Sequence, residues 1–167
     1  MVLDPSKWTH KTSEAVQTAM ELATSRSHPN LTPDHLLLAL LGQSDGLVLP
    51  LLQRVGVAPL SLRNKIEDRL GKLPMVYGGD APQMNKELSR VFENADIARK
   101  DLTDEYLSTE HLLLAMNERL DVETKVLLQA LSEVRGSQRV TSQNPEDTYQ
   151  SLEKYGTDLT KIAAEGK

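Results

Sequence analysis

Residues 31–41 read LTPDHLLLALL, and residues 107–117, an offset of 76, read LSTEHLLLAMN. Six of the eleven positions are identical, and Thr32/Ser108, Asp34/Glu110 and Leu40/Met116 are chemically close. Self-similarity at a fixed offset marks a duplicated unit. Each copy spells out a helix start. Thr32 and Ser108 carry the hydroxyl of a good N-cap. Pro33 suits the first helical position, where an N–H is not needed. Asp34 and Glu110 fall in the first turn, where the helix dipole favours negative charge. Leu31 and Leu36, like Leu107 and Leu112, have the spacing of a hydrophobic staple. The unbroken apolar run that follows leaves no polar face, so both helices belong inside a bundle and Leu36, Leu37, Leu112 and Leu113 are expected to be buried.

A second helix precedes each copy. Ala15, Val16, Ala19, Met20, Leu22 and Ala23 keep a 3.6-residue period, with Thr9 or Thr12 as cap. Leu88, Val91, Phe92, Ala95 and Ala98 do the same over about residues 85–101. After the first copy, a short helix ends near Gly56 and another runs from about Pro59 to Leu70. In the second half the offset falls from 76 to 65, with Asp121 opposite Gly56, a loss of eleven residues or about three helical turns. The expectation is therefore a second half that lacks one short helix. No stretch alternates as a strand. Residues 71–84 form a Gly/Pro-rich joint, in which Met75, Val76 and Tyr77 either pack on the core or make an exposed apolar patch. Residues 137–167 read as a polar tail. The fold class expected is all-α, with repeat one at about 9–71, repeat two at about 85–136, and a domain spanning 1–136.

Composition narrows the chemistry. Aromatics are 4% of 167 residues, so the core is aliphatic. The absence of cysteine excludes disulfides, thiol nucleophiles and cysteine-ligated zinc. A net charge of −5 without a basic run argues against a nucleic-acid partner. Nothing approaches the roughly 20 apolar residues of a membrane span, and the N-terminus has no signal-peptide pattern, so a cytoplasmic chain with no membrane partner is expected. There is no G-x-x-x-x-G-K-[S/T] loop, so the chain is not expected to be an enzyme or to hold a cofactor. His35 and His111 occupy equivalent places after a carboxylate. Each reads as a first-turn ring satisfying a local cap; the competing reading is a metal pair in a small metal-dependent enzyme.

The duplicated [Thr/Ser]-x-[Asp/Glu]-His-Leu-Leu-Leu-Ala helix resembles the Clp N-terminal domain family, found at the front of AAA+ unfoldases. The segment RGSQRVTSQNPEDTYQSLEKYG resembles the junction into the first ATPase module of the ClpB type of disaggregase. The resemblance implies a pseudo-twofold pair of helical repeats that engages unfolded or aggregated polypeptides. It further implies a longer protein that binds ATP and Mg, forms a homohexamer and cooperates with an Hsp70-type system. The family's functional polar positions fall on Thr9, Asp104 and Glu110, as substrate-binding residues. The residues alone leave each open: Thr9 as cap or contact, Asp104 and Glu110 as an acidic rim or as solvated charges. An apolar groove between the two halves would supply contact area. The alternative is docking of a dedicated adaptor, as in the ClpA/ClpC kind.

Overall fold

The computed structural model describes residues 4–79, 81–136 and 140–143. After a 3-10 turn at Pro5–Lys7, repeat one contains α1 (His10–Ser25), α2 (Pro33–Leu41), α3 (Val48–Arg54) and α4 (Pro59–Gly71). Repeat two contains α5 (Lys86–Asp101), α6 (Thr109–Ala115), α7 (Asn117–Leu120) and α8 (Thr124–Arg135). The second repeat is therefore shortened rather than short of a helix. The loop Gly42–Leu47 has no counterpart, and α7 is a four-residue remnant in the place of α3, entered directly from α6 at Met116. The expectation of a missing helix fails because the eleven residues come out of a loop and the ends of helices, not out of one element.

α1 packs on α2, and α5 on α6, through the alanine stripes: Ala15, Ala19, Ala23 and Ala95 are fully buried. Side chains this small let helices approach closely. α2 is buried at every one of its nine residues, as its unbroken apolar run requires, and Leu36, Leu37, Leu112 and Leu113 are all at most 1% exposed. Both copies close with the same C-terminal turn. Ser27 and Thr103 adopt φ of 58° and 57°, and the next amides, His28 and Asp104, reach back to the carbonyls of Ala23 and Arg99 at 2.9 and 3.0 Å.

Extended pairing is present where none was expected. β1 (Asn30–Leu31) pairs in parallel with β2 (Gln83–Met84), and Trp8 makes a parallel bridge to Leu107. These two contacts are one contact repeated by the pseudo-twofold, since Trp8 corresponds to Met84 and Leu31 to Leu107. In each, the lead-in to one repeat's first helix pairs with the lead-in to the other repeat's second helix, so the halves are interlocked. The one Trp and the one Phe of the chain meet at this seam, Trp8 stacking on Phe92 with ring centroids 5.3 Å apart. Met75, Val76 and Tyr77 are 58%, 52% and 77% exposed, so the apolar joint is a surface patch; the Val76 amide still donates to the Ser27 carbonyl at 2.8 Å. The packed unit also runs past the expected end at 136: Val140 is fully buried. Apart from residues 140–143, the expected polar tail lies outside the described residues.

Candidate functional site

Thr9 is the N-cap of α1. Its Oγ1 accepts from the Thr12 amide at 3.2 Å and donates to Thr12 Oγ1 at 3.0 Å, which in turn donates to the Leu107 carbonyl at 3.0 Å. The start of the first helix thus touches the residue before the second capping motif. Thr9 is fully buried.

Asp104 and Glu110 are 3% and 0% exposed. They are not an acidic rim. Both are paired with Arg135, the last residue of α8, whose Nη2 donates to Asp104 Oδ1 at 2.6 Å and whose Nη1 donates to Glu110 Oε2 at 3.1 Å. Ser108 Oγ donates to the other Glu110 oxygen. The Val140 amide donates to Asp104 Oδ1 at 2.8 Å. The expectation of solvated charges fails because Glu110, in the first turn of α6, and Asp104, in the loop before it, both face what the last helix lays over them, and here that is a guanidinium. Burial by itself pushes the Asp104 carboxyl up. Hydrogen bonds from His111, Arg135 and the Val140 amide, with the Arg135 charge, outweigh it and hold the group at about 2.

The two capping histidines take the role of the Glu or Gln in a capping box. His111 Nδ1 accepts from the Ser108 amide at 2.8 Å, so the ring proton sits on Nε2 and is donated to Asp104 Oδ2 at 2.6 Å. His35 Nδ1 accepts from the Thr32 amide at 3.0 Å, and its Nε2 meets His28 Nδ1 at 2.8 Å. His28 and Asp104 are equivalent positions, so the duplicated histidine faces a second ring in one repeat and a carboxylate in the other. The rings turn to different partners rather than converge, and no cluster of metal-ligating side chains exists among the described residues. Asp34, the counterpart of Glu110, is gripped by Arg69 of α4 at 2.8 Å and by Arg119 of the other repeat at 3.2 Å. An acid in the first turn of the second helix, held by an arginine near the end of the fourth, is thus present in both halves.

Two grooves among the described residues are related by the same pseudo-twofold, one within each repeat. The repeat-two groove, of about 500 Å³, lies among α5, α6 and α8, with Ile97, Ala98, Leu102, Leu114, Ala115 and Leu128 as its apolar lining and Asn94, Asp101, Asn117 and Thr124 around them. Ile97 and Leu128 are 56% and 38% exposed, apolar surface with no partner among the described residues. The repeat-one groove, of about 610 Å³, has Arg26 and Arg63 where the other has Leu102 and Leu128. Arg26 closes on Glu67 through two bonds of 2.7 and 3.1 Å. Duplication has left one greasy groove and one charged one.

The profile of the Clp repeat (R) N-terminal domain matches residues 7–131. The chain belongs to the Clp repeat N-terminal domain family. This Clp N-domain is 42% identical over 177 residues to the chaperone protein ClpB of Mycobacterium leprae, covering 99% of this chain and 21% of the relative. It is 41% identical to ClpB of Corynebacterium diphtheriae, covering 95% of this chain and 20% of the relative. The chain thus spans about a fifth of the length of these relatives, in their N-terminal region. Among solved structures it is similar in fold to the Hsp104 N-terminal domain of Candida albicans, with a TM-score of 0.72 and 21% identity over 84% of this chain and 99% of that one. A complex of a ClpV N-domain with a VipB peptide has a TM-score of 0.57 and 21% identity, covering 80% and 81%.

Sequence reasoning missed Arg135 in this Clp N-domain. It sits 65 residues after Leu70, the offset of the lower part of the repeat, so an arginine stands where the first copy has a buried leucine. A charge at an otherwise apolar repeat position was the available signal, and its buried acids were the partners it called for.

Proposed function

We propose that this Clp N-domain is the substrate-engaging front of a ClpB-type chaperone, and that the repeat-two groove captures exposed apolar segments of unfolded or aggregated polypeptides. The observation that carries the reading is the pair Ile97 and Leu128, left half-exposed on facing helices over an apolar floor. A groove of this size takes two or three aliphatic side chains, and its Asn, Asp and Thr margin offers an extended backbone its hydrogen bonds. Such a site binds weakly, because little area is buried against the entropy of ordering a flexible chain. Weak sites suffice if several domains are displayed together on one assembly, where avidity takes over. The VipB peptide seen on a ClpV N-domain supports a peptide ligand for this fold. ATP hydrolysis with Mg, hexamer formation and cooperation with an Hsp70-type system belong in this reading to the longer protein.

The test is amide shift mapping with a permanently unfolded polypeptide, carboxymethylated lactalbumin. Shifts are expected at Ile97, Ala98, Leu114 and Leu128. The double variant Ile97→Asp/Leu128→Asp should lower affinity at least about tenfold while melting like the parent, because both side chains are already at the surface. Shifts centred on Arg26, Arg63 and Glu67 would overturn the reading. They would favour a dedicated adaptor docking by charge at the repeat-one groove, a second reading that the Arg26–Glu67 pair keeps open. A pull-down yielding one stoichiometric partner would then be expected.

A further inference from the structure

Of Thr9, Asp104 and Glu110, Asp104 bonds directly to one short piece of backbone, residues 140–143, and that piece also takes the amide next to Thr9. The Val140 amide donates to Asp104, and the Val140 carbonyl accepts from the Glu105 amide at 2.7 Å. The Gln143 carbonyl accepts from the His10 amide at 2.7 Å, the first N–H of α1 and the neighbour of the Thr9 cap. The Gln143 side chain donates to the Trp8 carbonyl at 3.3 Å and the Ser6 carbonyl at 3.4 Å. Glu110 acts one step back: it holds Arg135, and Arg135 holds Asp104. Gly136, at φ +59°, turns the chain sharply out of α8 directly after that arginine.

We propose that residues 140–143 are a releasable strap, and that Asp104, Glu110 and Arg135 are positioning residues that form its anchor. The inference does not rest on the groove. Two features make the strap releasable. First, Asp104 without the Val140 amide still accepts from Arg135 and from His111 on its other oxygen, so release strands no unpaired buried charge. Second, His10 and Glu105, whose amides the strap covers, are exposed residues, so water takes over those bonds. Val140 is the one fully buried side chain that leaves the core. Substitutions at Asp104 and Glu110 would then change the hold on residues 140–143 without touching substrate.

Hydrogen exchange on the 167-residue chain tests this, with His10 and Glu105 as reporters and Ile66 and Leu113 as core references. In the parent, the reporters should exchange faster than the core yet slower than free peptide, the mark of a sub-global opening. Val140→Pro removes the N–H and leaves Asp104, Arg135 and His111 in place. It should speed both reporters at least about tenfold, as loss of a charge-assisted bond implies, with Ile66 and Leu113 unchanged. Val140→Ala, which keeps the N–H, should produce a smaller rise at the same two sites. Reporters and core accelerating together would show that 140–143 opens only with the whole fold, and no change at the reporters would show that the anchor does not hold them; either result overturns the strap.

Discussion

Asp104 was open to reading as a surface carboxylate whose removal would cost on the order of 1 kcal/mol or less. Buried against Arg135 and His111 it behaves differently. Asp104→Ala leaves Arg135 paired with Glu110 but strands three buried donors, on His111, Arg135 and the Val140 amide, which costs roughly 3–5 kcal/mol. Denaturant unfolding measures it, and a loss under about 1 kcal/mol would mean that water reaches the cluster. Titration separates the two repeats. His35 is pushed down to about 4 from an ordinary 6.5 by burial first, then by repulsion from a proton on His28 and by the Arg26 charge, with Asp34 opposing. A base depressed in the fold gives stability that is complete above about 6.5 and lost as pH falls towards 4. Asp104 acts in a lower window, its contribution of about 2 kcal/mol draining as pH falls from its ordinary 3.8 through about 2. His35→Gln keeps an acceptor at the third helical position, so the capping box survives while the titration disappears. Unfolding at pH 7.5 and 4.5 should show a flatter pH dependence for the variant than for the parent; an equal slope would place the titration elsewhere.

At the scale of elements, the decisive feature is where the packed unit ends. Composition placed the boundary after α8, at Gly136. Val140 and its amide belong to the core instead. A chain ending at Gln143 should therefore keep the contribution of Val140 and its amide. A chain ending at Gly136 should lose roughly 2–4 kcal/mol, from one buried valine and one charge-assisted hydrogen bond. Thermal melts of the two truncations decide it, and equal melting temperatures would mean that residues 140–143 lie on the surface without holding to it.

Across the whole molecule, the interlock of the repeats makes them one cooperative unit. Trp8 pairs with Leu107 and Leu31 with Met84, α2 also packs against α5, and α3 against α6 and α8. Neither half can bury α2 or α6 alone, because a helix with no polar face needs neighbours on all sides. Residues 4–79 and 81–143 made separately should each show no cooperative unfolding transition by circular dichroism. A sigmoidal melt from either would show that the duplication still encodes an independently stable unit.

The helices were legible because their signals are local. Caps, staples, alanine stripes and helix-ending glycines act over one or two turns, and those spacings are written in the chain. The pairing of repeats was legible too, since identity at a fixed offset needs no tertiary information. What the tertiary structure decided is what each repeated position meets. His35 and His111 share a motif, yet one faces His28 and the other Asp104. Leu70 and Arg135 share a register, yet one fills the core and the other pairs with two buried acids. Leu102 and Leu128 line a groove that Arg26 and Arg63 make polar in the other copy. A carboxylate's exposure depends on the helix that crosses over it, and that crossing is set by packing between segments far apart in sequence. For that reason the chain alone determined the family and the bundle, while the burial of Asp104 and Glu110, the place of the apolar groove and the hold on residues 140–143 were fixed only when the two repeats closed on each other.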